Sequence, residues 1–222
     1  MTVADRLNDI RSRVQAASKR AALASPVTLI AVSKTQPASA VREAYAAGQR
    51  DFGENYVQEL VAKAKELSDL PDLRWHFIGH LQRNKVKDVL PIASLVQAVD
   101  RIELAQEINK RASKRVPVLI EVNLAGEEQK AGAAIAALPE LIEAIRALPL
   151  LELRGLMAVP PASEDPELTR PYFQQLRELA RANEGASHLE LSMGMSSDFE
   201  VAVEEGASIV RVGSSIFGSR VR

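Results

Sequence analysis

Eight short apolar runs alternate with stretches of helical periodicity through most of this 222-residue chain. The runs cover residues 27–33, 50–53, 74–79, 95–99, 116–123, 151–159, 188–192 and 209–213. Helical patterns fill the intervals at 38–47, 56–67, 82–90, 101–114, 133–148, 167–182 and 198–205. Apolar runs bounded by breakers read as strands buried on both faces, and parallel strands need helical crossovers to cover them. Eight such repeats with no linker predict an α/β protein, a single (β/α)8 barrel over residues 1–222. An open doubly wound sheet is the competing solution, but it carries a glycine-rich phosphate turn after its first strand. Here Ser33-Lys34-Thr35-Gln36-Pro37 stands in that place, and no GxGxxG occurs. The runs at 50–53 and 95–99 are too short to stand alone and rest on the rhythm around them.

Local signals refine the plan. Leu7, Ile10, Val14, Ala17 and Ala21 recur at helical spacing, so an amphipathic helix opens the chain. Little sequence follows the eighth run, and this first helix is expected to cover the seam that an eighth helix would fill. Asp100-Arg101-Ile102-Glu103 has capping-box spacing and predicts a helix start. Gly48, Gly185 and Gly206 are expected to end helices in the left-handed conformation.

Composition narrows the function. The formal net charge is -1 and no basic stripe is present, which argues against nucleic acid as a partner. There is no cysteine, hence no disulfide and no thiolate metal site. The mixed charges at Asp5, Arg6, Asp9, Arg11 and Arg13 do not fit a signal peptide, and no apolar run suits a membrane span. A soluble, cytoplasmic, monomeric protein is expected.

Three constellations carry chemistry. The run 27–33 ends in Lys34 and is broken at Pro37, which places a lysine at the carboxyl end of the first strand, where barrels gather ligands. In apolar surroundings such an amine forms Schiff bases; in water it merely snorkels. The seventh run leads into Met193-Gly194-Met195-Ser196-Ser197-Asp198, small hydroxyl residues before a helix. These suit a phosphate, or give that helix an ordinary serine N-cap. The eighth run ends in Gly213-Ser214-Ser215, a second turn of the same kind, and barrels build phosphate sites after strands seven and eight. Arg211 lies within that last strand, and an inward orientation demands a ligand or an acidic partner. A ligand with both an aldehyde and a phosphate matches the set, and pyridoxal phosphate is the common cofactor of that description.

Other residues give weaker signals. Asn55 either orients a ligand or caps the next helix. Met157, Met193 and Met195 read as core or pocket wall. His76 and His80 fall on one pleat face too far apart for a metal. Lys63 with Glu66, and Glu178 with Arg181, read as solvated helix faces.

The segments Ala31-Val32-Ser33-Lys34-Thr35, Phe52-Gly53-Glu54-Asn55-Tyr56-Val57-Gln58-Glu59, Trp75-His76-Phe77-Ile78-Gly79-His80-Leu81-Gln82 and Leu191-Ser192-Met193-Gly194-Met195-Ser196-Ser197-Asp198, with Gly213 through Gly218, resemble the pyridoxal phosphate homeostasis protein family. The likeness spans nearly the whole chain. It implies a barrel like the N-terminal domain of alanine racemases, without their C-terminal β-domain, holding pyridoxal 5′-phosphate as an internal aldimine on Lys34. It also implies phosphate contacts near Ser196, Ser197, Gly213 and Ser214, and Arg211 facing the pyridine nitrogen. Ser214 stands where threonine is frequent in the family and keeps the hydroxyl. The expected cofactor-binding set is Lys34, Asn55, Met195, Ser196, Ser197, Arg211, Gly213 and Ser214, with no catalytic residue and no metal ligand. The implied role is cofactor and amino-acid homeostasis without established turnover, with cofactor-dependent apoenzymes as recipients. A small racemase or lyase is the alternative, and a cofactor-free Schiff-base aldolase on Lys34 a third.

Overall fold

The computed structural model describes residues 1–127, 129, 131–185 and 188–218. All eight runs form strands. The chain carries β1 (Thr28–Val32), β2 (Asp51–Glu54), β3 (Arg74–Phe77), β4 (Ala93–Val99), β5 (Val116–Asn123), a two-residue β6 (Ala133–Ala134), β7 (Leu151–Met157), β8 (Glu190–Ser192) and β9 (Ile209–Val212). The barrel order is β4-β3-β2-β1-β9-β8-β7-β5, and β4 pairs in turn with β5, which closes the cylinder. Every pairing is parallel, and β6 attaches only to the end of β5. Around the barrel lie α1 (Val3–Arg20), α2 (Ala38–Ala46), α3 (Val57–Glu66), α4 (Val86–Val89), α5 (Ile102–Arg111), α6 (Leu138–Arg146), α7 (Arg170–Ala182), α8 (Phe199–Glu204) and the single turn α9 (Ser214–Phe217). Three predicted helices begin instead with 3-10 turns, at Arg83–Lys85, Ile135–Ala137 and Pro166–Thr169.

Alternation along the strands sorts residues into two apolar layers. Ile30, Val32, Leu95, Ala98, Leu119, Met157 and Ile209 fill the barrel interior. Leu29, Ala31, Phe52, Phe77, Val118, Ile120, Val210 and Val212 face outward into the layer shared with the helices. The same alternation positions the chemistry. Lys34 is two residues beyond inward-facing Val32, and Arg211 is two beyond inward-facing Ile209, so both belong to the inner face.

Helix α1 does what the sequence led us to expect of it. It buries Val3, Leu7, Ile10, Val14 and Ala17 and packs against α8, α9 and α2, over the β9–β1 seam. Its start is a true capping box: Thr2 Oγ1 accepts the Asp5 N–H at 3.1 Å, and Asp5 Oδ2 accepts the Thr2 N–H at 2.9 Å. Arg13–Glu200 at 2.7 Å and Arg20–Glu204 at 2.8 Å tie it to α8. These pairs are largely solvated, so the apolar stripe carries most of the docking energy.

Two local expectations are corrected. α5 does start near Asp100, but the expected capping box does not form: the N-cap position is Arg101, which makes no side-chain cap bond. The Asp100 carboxylate turns instead to Arg101 at 2.5 Å and His80 at 3.5 Å. Gly48 and Gly206 take the left-handed conformation, with φ of 86° and 95°. Gly185 does not end its helix, because α7 already stops at Ala182 with Asn183 as C-cap.

Candidate functional site

At the carboxyl ends of the strands lies a pocket of about 430 Å³, within the range of small-molecule sites. Lys34, Asn55, Met195, Ser196, Ser197, Arg211, Gly213 and Ser214 all line it, so the fold brings the whole predicted set together. Val32, Thr35, Gln36, Ile78, Val159, Phe217 and Gly218 complete the wall and lie outside the expected set. The rim is open: Val159 is 42% exposed.

The turn that carries Lys34 is strained and clamped. Thr35, a β-branched residue, sits at φ 63°, a conformation that costs about 1–3 kcal/mol and persists only where the surroundings enforce it. Its N–H donates to Glu59 Oε2 at 2.8 Å. The Ser33 carbonyl accepts Lys63 Nζ at 2.6 Å, and Ser33 Oγ donates to Glu54 Oε1 at 2.6 Å. Lys63 also donates to Glu54 at 2.7 Å and Glu59 at 2.8 Å. The expectation of a solvated Lys63 is therefore wrong. The side chain is buried because the Glu59–Lys63 stripe of α3 turns toward the barrel top, and three oxygens take its three donors. Glu54 is fully buried, and burial raises its carboxyl above the ordinary range despite the bonds from Lys63 and Ser33. Glu178 and Arg181 are solvated as expected, 3.5 Å apart.

Arg211 points inward and is 4% exposed. It donates Nη1–H to Ser192 Oγ at 2.6 Å and Nη2–H to the Ala158 carbonyl at 2.9 Å. Of the ligand or acidic partner that an inward arginine was expected to need, the acidic side is met only at a distance, by the field of Glu121 and Asp198, while neutral oxygens take the two hydrogen bonds. Burial pulls its pKa down to about 10 against that field, which leaves it a cation at neutral pH.

Glu121, two residues beyond inward-facing Leu119 on β5, was legible from strand alternation but escaped notice. Burial pushes its pKa up to about 7, with Arg211 pulling the other way. Ionising it in the fold therefore works against stability. That cost is absent below the unfolded carboxylate value and complete above about pH 7, at about 3 kcal/mol. Glu121→Gln should stabilise the protein by about that amount at pH 8 and hardly at all at pH 4. Denaturant unfolding at both values is the check, and an equal gain at the two would refute the assignment.

The two serine turns meet each other. Ser196 Oγ accepts the Gly213 N–H at 3.2 Å and the Ser215 N–H at 3.5 Å. Neither Ser196 nor Ser197 caps α8; Asp198 holds the N-cap position and accepts the Met195 N–H at 2.6 Å. Asn55 does not cap α3, whose N-cap is Tyr56, and its buried Oδ1 has no hydrogen-bond partner. A Cβ at Gly213 would lie 3.1 Å from the Val32 carbonyl oxygen, so a side chain there would crowd the pocket wall. Met157 and Met193 are core, and Met195 is wall. His76 is buried in the barrel while His80 is half exposed beside Asp100. Among the described residues no three His, Cys, Asp or Glu side chains converge as a metal site requires.

Fold and pocket together define a barrel of the alanine racemase N-terminal domain class, and the sequence model of that domain matches residues 6–221. Within that class the chain belongs to the pyridoxal phosphate homeostasis protein family. The protein so named from Aquifex aeolicus is 47% identical, with 99% of each chain covered. Its namesake from Pseudomonas aeruginosa is 46% identical, covering 99% of this chain and 96% of that protein. The solved structure of PipY from Synechococcus elongatus with pyridoxal phosphate bound is 41% identical and superposes with a TM-score of 0.87, covering 98% of this chain and 100% of that one.

Proposed function

We propose that this protein holds pyridoxal 5′-phosphate through Lys34 and buffers or delivers it in the cytoplasm, as a monomer, without turning over a substrate. One observation carries the reading: a single pocket of about 430 Å³ gathers the strand-end lysine, both serine turns and a buried arginine. The residues fit the group. Lys34 supplies the amine that condenses with the aldehyde, forming C=N and releasing one water. Ser196, Ser197 and Ser214 offer hydroxyl donors for the phosphate, and Gly213 leaves room for it. The unpartnered Oδ1 of Asn55 offers an acceptor to the ligand. PipY, a relative over its whole length, has a structure with the cofactor bound.

The non-catalytic half of the reading rests on two features. Bound pyridoxal phosphate acts as an electron sink most strongly when its ring nitrogen is protonated. In this reading Arg211, which lines the pocket, faces that nitrogen, and a guanidinium donates hydrogen bonds but does not give up its proton. Racemisation also needs a second acid–base group, and no tyrosine lines the pocket. Tyr45 on α2 bonds to Asp72, Tyr56 caps α3 facing solvent, and Tyr172 lies on α7.

Titration with pyridoxal phosphate should produce a visible absorbance band with saturating behaviour. Incubation of the loaded protein with L-amino acids in heavy water should give no steady α-deuterium incorporation. A colourless protein after titration refutes the cofactor reading. Sustained exchange or racemisation refutes the non-catalytic one and favours the racemase or lyase.

A further inference from the structure

Arg211 ends a line of hydrogen bonds that crosses the barrel from one mouth to the other. Its guanidinium has only donors, so the 2.6 Å contact with Ser192 makes Ser192 Oγ the acceptor. The serine proton is then free to donate onward, and Gln97 Oε1 lies 2.6 Å away. The Gln97 amide nitrogen lies 3.3 Å from His76 Nδ1, and an amide nitrogen can only donate. His76 Nδ1 must accept, which puts the proton of the neutral ring on Nε2, 3.0 Å from Asp51 Oδ1. Asp51 opens β2 at the far end of the barrel, where Arg74 grips it through Nε at 2.8 Å and Nη2 at 2.6 Å. Every link donates in the same direction, from a buried cation to a carboxylate.

We infer that Ser192, Gln97, His76 and Asp51 are positioning residues whose aligned hydrogen bonds fix the orientation of the Arg211 guanidinium toward the ligand ring. The inference rests on the proposed pyridoxal phosphate site. Gln97 and Ser192 are fully buried, and they stand in an interior otherwise packed with Ile30, Val32, Leu119 and Met157, where an apolar residue would fill the space without needing partners. Rotation of Arg211 would strip Ser192 of its donor and disturb each link behind it. The terminal anion is secure: burial pushes Asp51 upward, but the bonds from His76 and Arg74 outweigh it and hold its pKa at about 2. The line therefore keeps one polarity, with Arg211 locked as a donor that faces the pocket.

The test uses Gln97→Met, which breaks the line in its middle, and Ser192→Ala, the smaller change, as the second variant should the first not fold. In the apo protein, the side-chain N–H signals of Arg211 in a nitrogen-15 spectrum should be sharp and slowly exchanging in the wild type. They should broaden or vanish in each variant. On titration with pyridoxal phosphate, each variant should bind roughly 5–30-fold more weakly, as loss of one buried hydrogen bond implies. In an Arg211→Gln background the same changes should have no further effect on binding, because they act through the arginine. Unchanged Arg211 signals, or an equal loss of affinity in the Arg211→Gln background, would overturn the inference and leave the line a structural plug. A wild type that gives no visible band refutes the cofactor reading instead, and the apo spectrum still decides the line.

Discussion

Lys34→Ala should abolish the visible band that pyridoxal phosphate gives with the wild-type protein, and Lys34→Arg should abolish it equally. Arginine keeps the charge and much of the reach but cannot condense with an aldehyde, so the pair separates covalent capture from attraction of the phosphate. A rival amine is Lys63, which bonds the Ser33 carbonyl next to Lys34 and whose three donors are committed to Ser33, Glu54 and Glu59. To react it would have to shed its proton and abandon two carboxylates in a buried site. Loss of the band in both variants, with circular dichroism unchanged, would assign the attachment to Lys34. A band that survives Lys34→Ala would place the cofactor elsewhere and remove the basis for the site.

Lys63→Met should have the largest effect on stability, about 3–5 kcal/mol, because it leaves Glu54 buried without its cation. For a chain of this size that corresponds to a fall in melting temperature of roughly 6–20 °C. The loss should be greater at pH 8 than at pH 4.5, since Glu54 already lies above the ordinary carboxylate range and can take a proton at the lower value. Adding Glu54→Leu should recover part of the loss, as a buried ion pair exchanged for apolar groups often does. Thermal unfolding of the two variants at both pH values decides the matter, and a cost below about 1 kcal/mol would mean that Lys63 behaves as an ordinary surface lysine.

The barrel was legible in the sequence because its evidence is periodic and local: apolar runs, breakers and helical stripes recur at regular intervals. That the eight expected residues line one pocket has a related reason. Strand alternation carries Val32 to Lys34 and Ile209 to Arg211, and the serine turns follow their strands directly. Glu121 apart, which strand alternation alone points inward, the rest depends on partners distant in sequence. Lys63 looks like any helical lysine until β2 brings Glu54 beneath it. Gln97 and Ser192 carry no signal of their own, because their role exists only once β4 and β8 face each other across the interior. Asp100 shows the remaining kind of error: the helix start is placed within one residue, but the capping box does not form, and the carboxylate meets Arg101 and His80 instead.

The closing seam of the barrel has a consequence for the order of events in the cell. Lys34 follows β1, early in the chain, while Ser196 follows β8, Arg211 lies on β9 and Gly213 comes directly after it. Chains fold during synthesis from the N-terminus onward, and contacts between remote segments close last. A nascent chain on the ribosome thus exposes the amine long before the serine turns exist. Only when β9 has paired with β1, under the cover of α1, do the lysine and the serine turns belong to one cavity. The complete pocket therefore exists only in the assembled barrel, and whatever it binds with all of its walls it binds after the β1–β9 seam has closed.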